Sequence, residues 1–312
     1  MHSGDKESKI SSQGAFAPFL RLIMKNRRNF TNYLYIVPAF IIYTSIIIGP
    51  AIYSIYISLF KWNGIGPKKF VGLKNFVNLF TNDKIFITSL KNNFYWIILT
   101  LVITMAIAMG LALLFNRNFK GRAFFRSYFY FPYTLSIILV AIVWRRMYDP
   151  NLGFINEFLR FIGLENLTGQ WTADPKIALF CIFAASAWQS VGQPMILFLA
   201  GLQTVPIETL EAARIDGASE ARTFFSITMP QMKETFIIVI ATQIITSMKV
   251  FDIISGMTGG GPANSTQTLA TYMYSQTFLW DHWGKGTAIA VVMLVIMMFI
   301  VIPYVVFTAR RE

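Results

Sequence analysis

Long apolar runs alternate with short polar stretches along the whole chain. Runs of about 20 residues or more, the length one helix needs to cross a bilayer, occur at 34–60, 94–115, 128–148, 177–201, 236–256 and 287–308. The pattern predicts six spans. Backbone groups in lipid must be bonded within their own segment, so each span is expected to be helical. The expected fold is therefore an all-α integral membrane protein. Pro38, Pro50, Pro194 and Pro303 lie inside or near the ends of these runs. Each removes a donor from the helical ladder and marks an expected kink. The first run is far longer than the apolar part of a signal peptide and is expected to remain in the mature protein.

The polar stretches divide the rest. Residues 1–14 read as disordered. Phe16, Phe19, Leu20 and Ile23 then recur at i, i+3, i+4 and i+7, with Arg21 and Lys25 opposite. Such a helix is expected to lie in the membrane interface. This gives a tail over 1–33, a membrane domain over 34–308 and a short end over 309–312.

Composition agrees with the apolar pattern. Of 312 residues 55% are hydrophobic and 13% charged, about half the charged share of a soluble domain. Net charge is +12, but no soluble basic domain exists to carry nucleic acid. The charge reads instead as an orientation signal and attraction to anionic lipid. Basic residues crowd before the first and third runs, in "MKNRRNF" and "NRNFKGRAFFR". That density places both termini and the 202–235 loop in the cytoplasm. Segment 153–162, "GFINEFLRFI", reads as an amphipathic helix on the outer face, beside a "TGGGP" turn at 258–262.

Enzyme chemistry finds little support. Cys181 is the only cysteine, and His2 and His282 stand at opposite ends. No phosphate-binding loop of the G-x-x-x-x-G-K-[ST] type occurs, so no cofactor or ATP hydrolysis is expected in this chain. An intramembrane enzyme would need a cluster of acids or nucleophiles, and Asp252 is the only acid within the runs.

One polar stretch stands out, "LEAARIDGASEARTFFSITMP" at 210–230. Pro206 suits a first helical turn, and Ile207, Leu210 and Ala213 form a thin apolar stripe. Gly217 is placed as a left-handed helix end, and Ser219 as the cap of a second helix reaching Met229. Phe224, Phe225 and Ile227 are expected to pack that helix on the membrane domain. The first helix is slim and acidic, which suits insertion into another protein's groove. Equally, it can be an interfacial connector held by a Glu211–Arg214 pair.

The stretch resembles the cytoplasmic EAA loop of permease subunits in binding-protein-dependent ABC importers. That pattern is E-A-A, three residues, G, nine residues, I-x-L-P. Here Glu211, Ala212, Ala213, Gly217, Ile227 and Pro230 fit it, and Met229 replaces the usual leucine. "LFLAGLQTVPIETLEAARIDGAS", "VFDIISGMTGGGPANSTQTL", "KGRAFFRSYFYFP" and "VWRRMYDPNLGFIN" resemble segments of the carbohydrate permeases, similar to those of the maltose transporter. The likeness covers residues 30–308.

The resemblance implies a type I importer fold, the MetI-like fold, in a prokaryotic cell membrane. It implies a second similar permease, two ATP-binding subunits that hold ATP and Mg, and an extracytoplasmic solute-binding protein. Glu211, Ala212, Ala213 and Gly217 would form the coupling helix seated on an ATPase subunit, and Arg214 and Asp216 are added as polar contacts. The substrate implied is an oligosaccharide, with glycerol phosphate or another polyol as the alternative. A stand-alone secondary carrier ranks far below, because no inverted halves are evident and the loop would have no role.

Polar groups inside spans mark pathways or helix contacts. In the fourth run Gln189 and Gln193 fall at i, i+4 beside Trp188, a set suited to a sugar's hydroxyls and ring faces. Gln243, Thr246 and Ser247 add polar groups in the fifth. Lys249 and Asp252, at i, i+3 near its outer end, read either as a mutually satisfied pair or as an outer gate.

Overall fold

The computed structural model describes residues 35–309. The expected interfacial helix of the tail and the residues beyond 309 lie outside that range. The chain divides into two compact units, Met1–Tyr56 and Ile57–Glu312.

The described part of the first unit is helical. It holds most of α1 (Tyr35–Ser58), a 24-residue apolar helix. A π turn at Thr44–Ile48 interrupts it, the Gly49 amide donating to Thr44 O. The turn falls just before Pro50, which has no N–H to continue the ladder.

The second unit opens with a feature that the apolar pattern did not predict. Strands β1 (Phe60–Lys61) and β2 (Lys69–Phe70) pair antiparallel, Phe60 opposite Phe70. Then come α2 (Lys74–Thr81) and α3 (Lys84–Asn116). At 33 residues, α3 is about 50 Å long at 1.5 Å per residue, so it starts ten residues before the run that predicted it. Asp83 caps its first turn, accepting from Phe86 N–H at 3.0 Å.

The third and fourth spans are bent. α4 (Arg122–Thr134) and α5 (Ile137–Met147) meet at 94°, and α7 (Ala178–Ser190) and α8 (Gly192–Leu202) at 47°. Between these pairs lies α6 (Phe154–Phe161), the helix expected at 153–162. Pro132 sits in the last turn of α4, before extended Leu135 and Ser136. At the 47° bend, Pro194 follows Gly192, whose Cβ, were it present, would lie 2.9 Å from Phe129 O and Tyr130 Cα. Only glycine lets α8 approach α4 so closely, the small-residue contact common between membrane helices.

The polar loop forms α9 (Ile207–Ile215) and α10 (Glu220–Thr223), and a π turn at Phe224–Thr228 continues α10. The fifth run also differs from expectation. α11 (Lys233–Met248) has 16 residues and stops, and α12 (Asp252–Met257) restarts in a different place. α13 (Leu269–Tyr274) and the long α14 (Trp283–Ala309) complete the chain. Among the described residues, three helices are long and apolar enough to cross a bilayer, or five if each bent pair counts as one. α11, with 16 residues, is shorter than the about 20 residues that a bilayer requires.

Three packed cores hold the second unit. The later part of α3 packs on α8 through Met105, Ala108 and Phe115 against Met195 and Phe198. α5, α7 and α12 share a second core through Ala141, Ile182, Ala185, Ile253 and Ile254. The start of α3 joins the end of α11, α13 and α14 in a third, with Phe86, Met248, Leu269, Tyr272 and Ile289. Arg117 and Glu220, 3.0 Å apart, put the end of α3 beside the α9–α10 loop. Asp83 and Lys285, 2.7 Å apart, join the starts of α3 and α14 at the opposite end.

Candidate functional site

Two places bring the predicted residues together, the α9–α10 loop and a cavity among the spans. α9 ends as its sequence requires. Asp216 N–H bonds Ala212 O at 3.0 Å, and Ala218 N–H reaches back to Ala213 O at 3.0 Å. Gly217 between them has φ +73 with open space around its Cα, the left-handed end for which glycine is favoured. Ser219 Oγ accepts from Arg222 N–H at 3.3 Å and caps α10.

Glu211, Ala212, Arg214, Asp216 and Gly217 are exposed on this loop. Ala213 is turned inward and buried, so its small size serves close packing of α9. The expected Glu211–Arg214 ion pair is not formed. Phe225 is 65% exposed and does not pack on the spans, whereas Phe224 and Ile227 are half-buried. Ile207 and Ile215 lie on the Glu211 side of the helix, at i−4 and i+4, and are 64% and 86% exposed. Ile215 went unnoticed in the sequence; its signal was an apolar side chain between two charges.

The cavity measures about 360 Å³. Gln189, Gln193, Gln243, Thr246, Ser247, Lys249 and Asp252 all line it. Gln243 Nε2 donates to Gln193 Oε1 at 3.4 Å. Gln189 is buried and donates to Tyr133 O at 3.4 Å. That carbonyl lies beside the 94° break, so the amide satisfies a group that the bend frees. Lys249 and Asp252 are both exposed, and no salt bridge joins them. Their expected pairing is absent.

Trp188 departs from the prediction. Its ring packs on Trp144, centroids 5.8 Å apart. It borders a separate apolar groove of about 700 Å³ with Ile103, Tyr128 and Phe131. Successive helical residues point about 100° apart, so residues 188 and 189 do not share a face. Trp96, Tyr133 and Phe183 supply the cavity's aromatic walls instead, and Thr100, Thr104, Ser186 and Ser190 its hydroxyls. Thr100 and Thr104, and Ser186 and Ser190, stand at i, i+4 inside apolar runs, a readable signal that was missed.

At the end opposite α9, a buried polar network has no local signal in the sequence. Tyr272 Oη donates to Asp83 Oδ2 at 2.7 Å, and Gln276 Nε2 donates to Tyr272 Oη at 2.7 Å. Burial pushes the Asp83 carboxyl up, but the bonds from Lys285, the Phe86 amide and Tyr272 outweigh it and hold the group below its ordinary range. Burial and the Asp83 bond push the Tyr272 phenol well up.

Residues 102–312 match the family described as "Binding-protein-dependent transport system inner membrane component". The chain belongs to that family. This permease is 36% identical over 280 residues to the probable ABC transporter permease protein PH1215 of Pyrococcus horikoshii, covering 89% of this chain and 96% of that protein. It is 32% identical to the diacetylchitobiose uptake system permease protein NgcF of Streptomyces coelicolor, covering 81% and 74%. A bacterial alginate ABC transporter, in complex with alginate pentasaccharide-bound periplasmic protein, has a chain of the same fold. The TM-score is 0.79 at 22% identity, covering 91% of the permease and 96% of that chain. The permease is a multi-pass membrane protein of the binding-protein-dependent importer class.

Proposed function

We propose that the permease is one of two similar subunits forming the membrane path of an ATP-driven oligosaccharide importer. Both termini and the α9–α10 loop face the cytoplasm. There the exposed face of α9, with Glu211, Ala212, Arg214, Asp216, Gly217 and the flanking Ile207 and Ile215, docks on an ATPase subunit. A solute-binding protein delivers the sugar at the opposite face. ATP and Mg are bound by the ATPase subunits.

The observation that carries the substrate class is the cavity wall. Amides of Gln189, Gln193 and Gln243 meet hydroxyls and aromatic rings in one polar space. Amides and hydroxyls satisfy sugar hydroxyls, and rings stack on the apolar faces of pyranoses. The diacetylchitobiose relative and the pentasaccharide-bound complex support the same class. Coupling follows if closure of the ATPase dimer draws the α9 helices together and rocks the spans around the cavity.

Uptake of a labelled oligosaccharide panel by cells expressing the complete importer tests this. Gln193→Leu and Gln243→Leu each should lower uptake of the preferred sugar about ten-fold, the worth of one lost polar contact. Uptake that ignores both variants, or a preference for glycerol phosphate over every sugar, would contradict the reading.

A further inference from the structure

The chain changes cores at the break between α11 and α12. Met248 packs in the third core with Leu269 and Tyr272, and Ile253, five residues on, packs in the second with Ala141 and Ile182. The residues between, Lys249, Val250 and Phe251, line the polar cavity. The cavity thus opens along a seam, and its rim is a short piece of irregular backbone.

A helix that stops leaves its last carbonyls without intrahelical partners. Irregular backbone at membrane depth persists only where protein or water satisfies it. Here one side chain does much of that. Asn93 on α3, 1% exposed, donates from Nδ2 to Ser247 O at 3.1 Å and Met248 O at 3.3 Å. Its Oδ1 accepts from Leu269 N–H at 2.7 Å. The neighbouring Asn92 donates to Ser265 O and Gln267 O at 2.7 and 2.8 Å. Thr268 Oγ1 donates to Val250 O at 2.9 Å. Two adjacent amides on α3 therefore hold both the broken end of α11 and the segment that returns over it.

We propose that Asn93, supported by Asn92, is a positioning residue for transport. By tying the end of α11 and the start of α13 to α3, it fixes Lys249 and Asp252 at the rim of the cavity. The transport role rests on the reading of that cavity as the sugar path. An apolar side chain in place of Asn93 leaves Met248 O and the Leu269 amide unbonded, leaves Ser247 O with its 3.4 Å bond from Val250 N–H, and frees the rim from α3. An aspartate keeps an acceptor for Leu269 N–H but sets a carboxylate against two carbonyls, so it releases the α11 end alone.

The test uses the full chain in lipid nanodiscs, with Cys181→Ser as background. A nitroxide is placed at Lys249→Cys on the rim, or at Gln193→Cys deeper in the same cavity. Asn93→Ala and Asn93→Asp should both shift the Lys249 label from an immobile to a mobile line shape, and leave the Gln193 label unchanged. An unchanged Lys249 label in either variant overturns the proposal, as does equal loosening at both sites. Failure of both variants to fold overturns it too, since Asn93 would then be a folding residue. The path itself is judged by uptake in the Gln193 and Gln243 variants. A failure there would remove the transport role and leave the label shift standing.

Discussion

At the residue scale, Asp83 is a charged group enclosed by three partners. It accepts from Lys285 Nζ at 2.7 Å, from Tyr272 Oη at 2.7 Å and from Phe86 N–H at 3.0 Å. Its carboxyl is 9% exposed and the Lys285 side chain 32%. The folded carboxyl titrates below the unfolded one, so the network adds stability at every pH above the ordinary 3.8. That contribution is lost as pH falls through and below that value. Thermal unfolding of the purified chain should show a melting temperature that declines steeply below about pH 4, a decline that Asp83→Asn flattens. A melting temperature equally pH-dependent in Asp83→Asn would assign the decline to other carboxylates. Lys285→Met alone should be the worst case, because it strands a nearly buried carboxylate, and adding Asp83→Asn to it should restore part of the loss.

Elements show where sequence reading succeeds and where it stops. Five of the six apolar runs fall on helices or bent helix pairs long and apolar enough to cross a bilayer, because lipid imposes a length and a composition that a single chain displays. The breaks were less readable. The stop at Met248 had no local signal, since Asn93, 155 residues away, holds it. Gly256 in α12 shows the same dependence on distant partners. A Cβ there would lie 2.7 Å from Ala141 Cβ on α5, with no flexible side chain to give way. Gly256→Val should destabilise the fold by about 1–3 kcal/mol, the usual cost of overpacking, seen as a lower melting temperature. Gly256→Val combined with Ala141→Gly should recover part of it. No change in Gly256→Val would mean that α12 moves freely on α5.

For the whole molecule, the residues split by how their roles are specified. Glu211, Ala212 and Gly217 were legible as one contiguous local pattern, the form in which the proposed docking helix would be read by a partner. Cavity residues come from four spans. Gln189, Gln193, Gln243, Thr246 and Ser247 were found as polar groups in apolar runs, and Trp188 was misplaced because adjacency in sequence is not adjacency on a helix face. The central claim is that the permease works by joining α9 to a separate ATPase. Co-purification with the neighbouring permease and ATPase subunits tests it most directly, comparing the wild type with Glu211→Lys and Gly217→Leu. Glu211→Lys reverses an exposed charge, and Gly217→Leu forces a bulky residue into φ +73. The account predicts that ATPase subunits come down with the wild type and are lost from both variants, while the second permease stays bound. ATPase retained by both variants, or absent from a wild type that still moves solute, would contradict it.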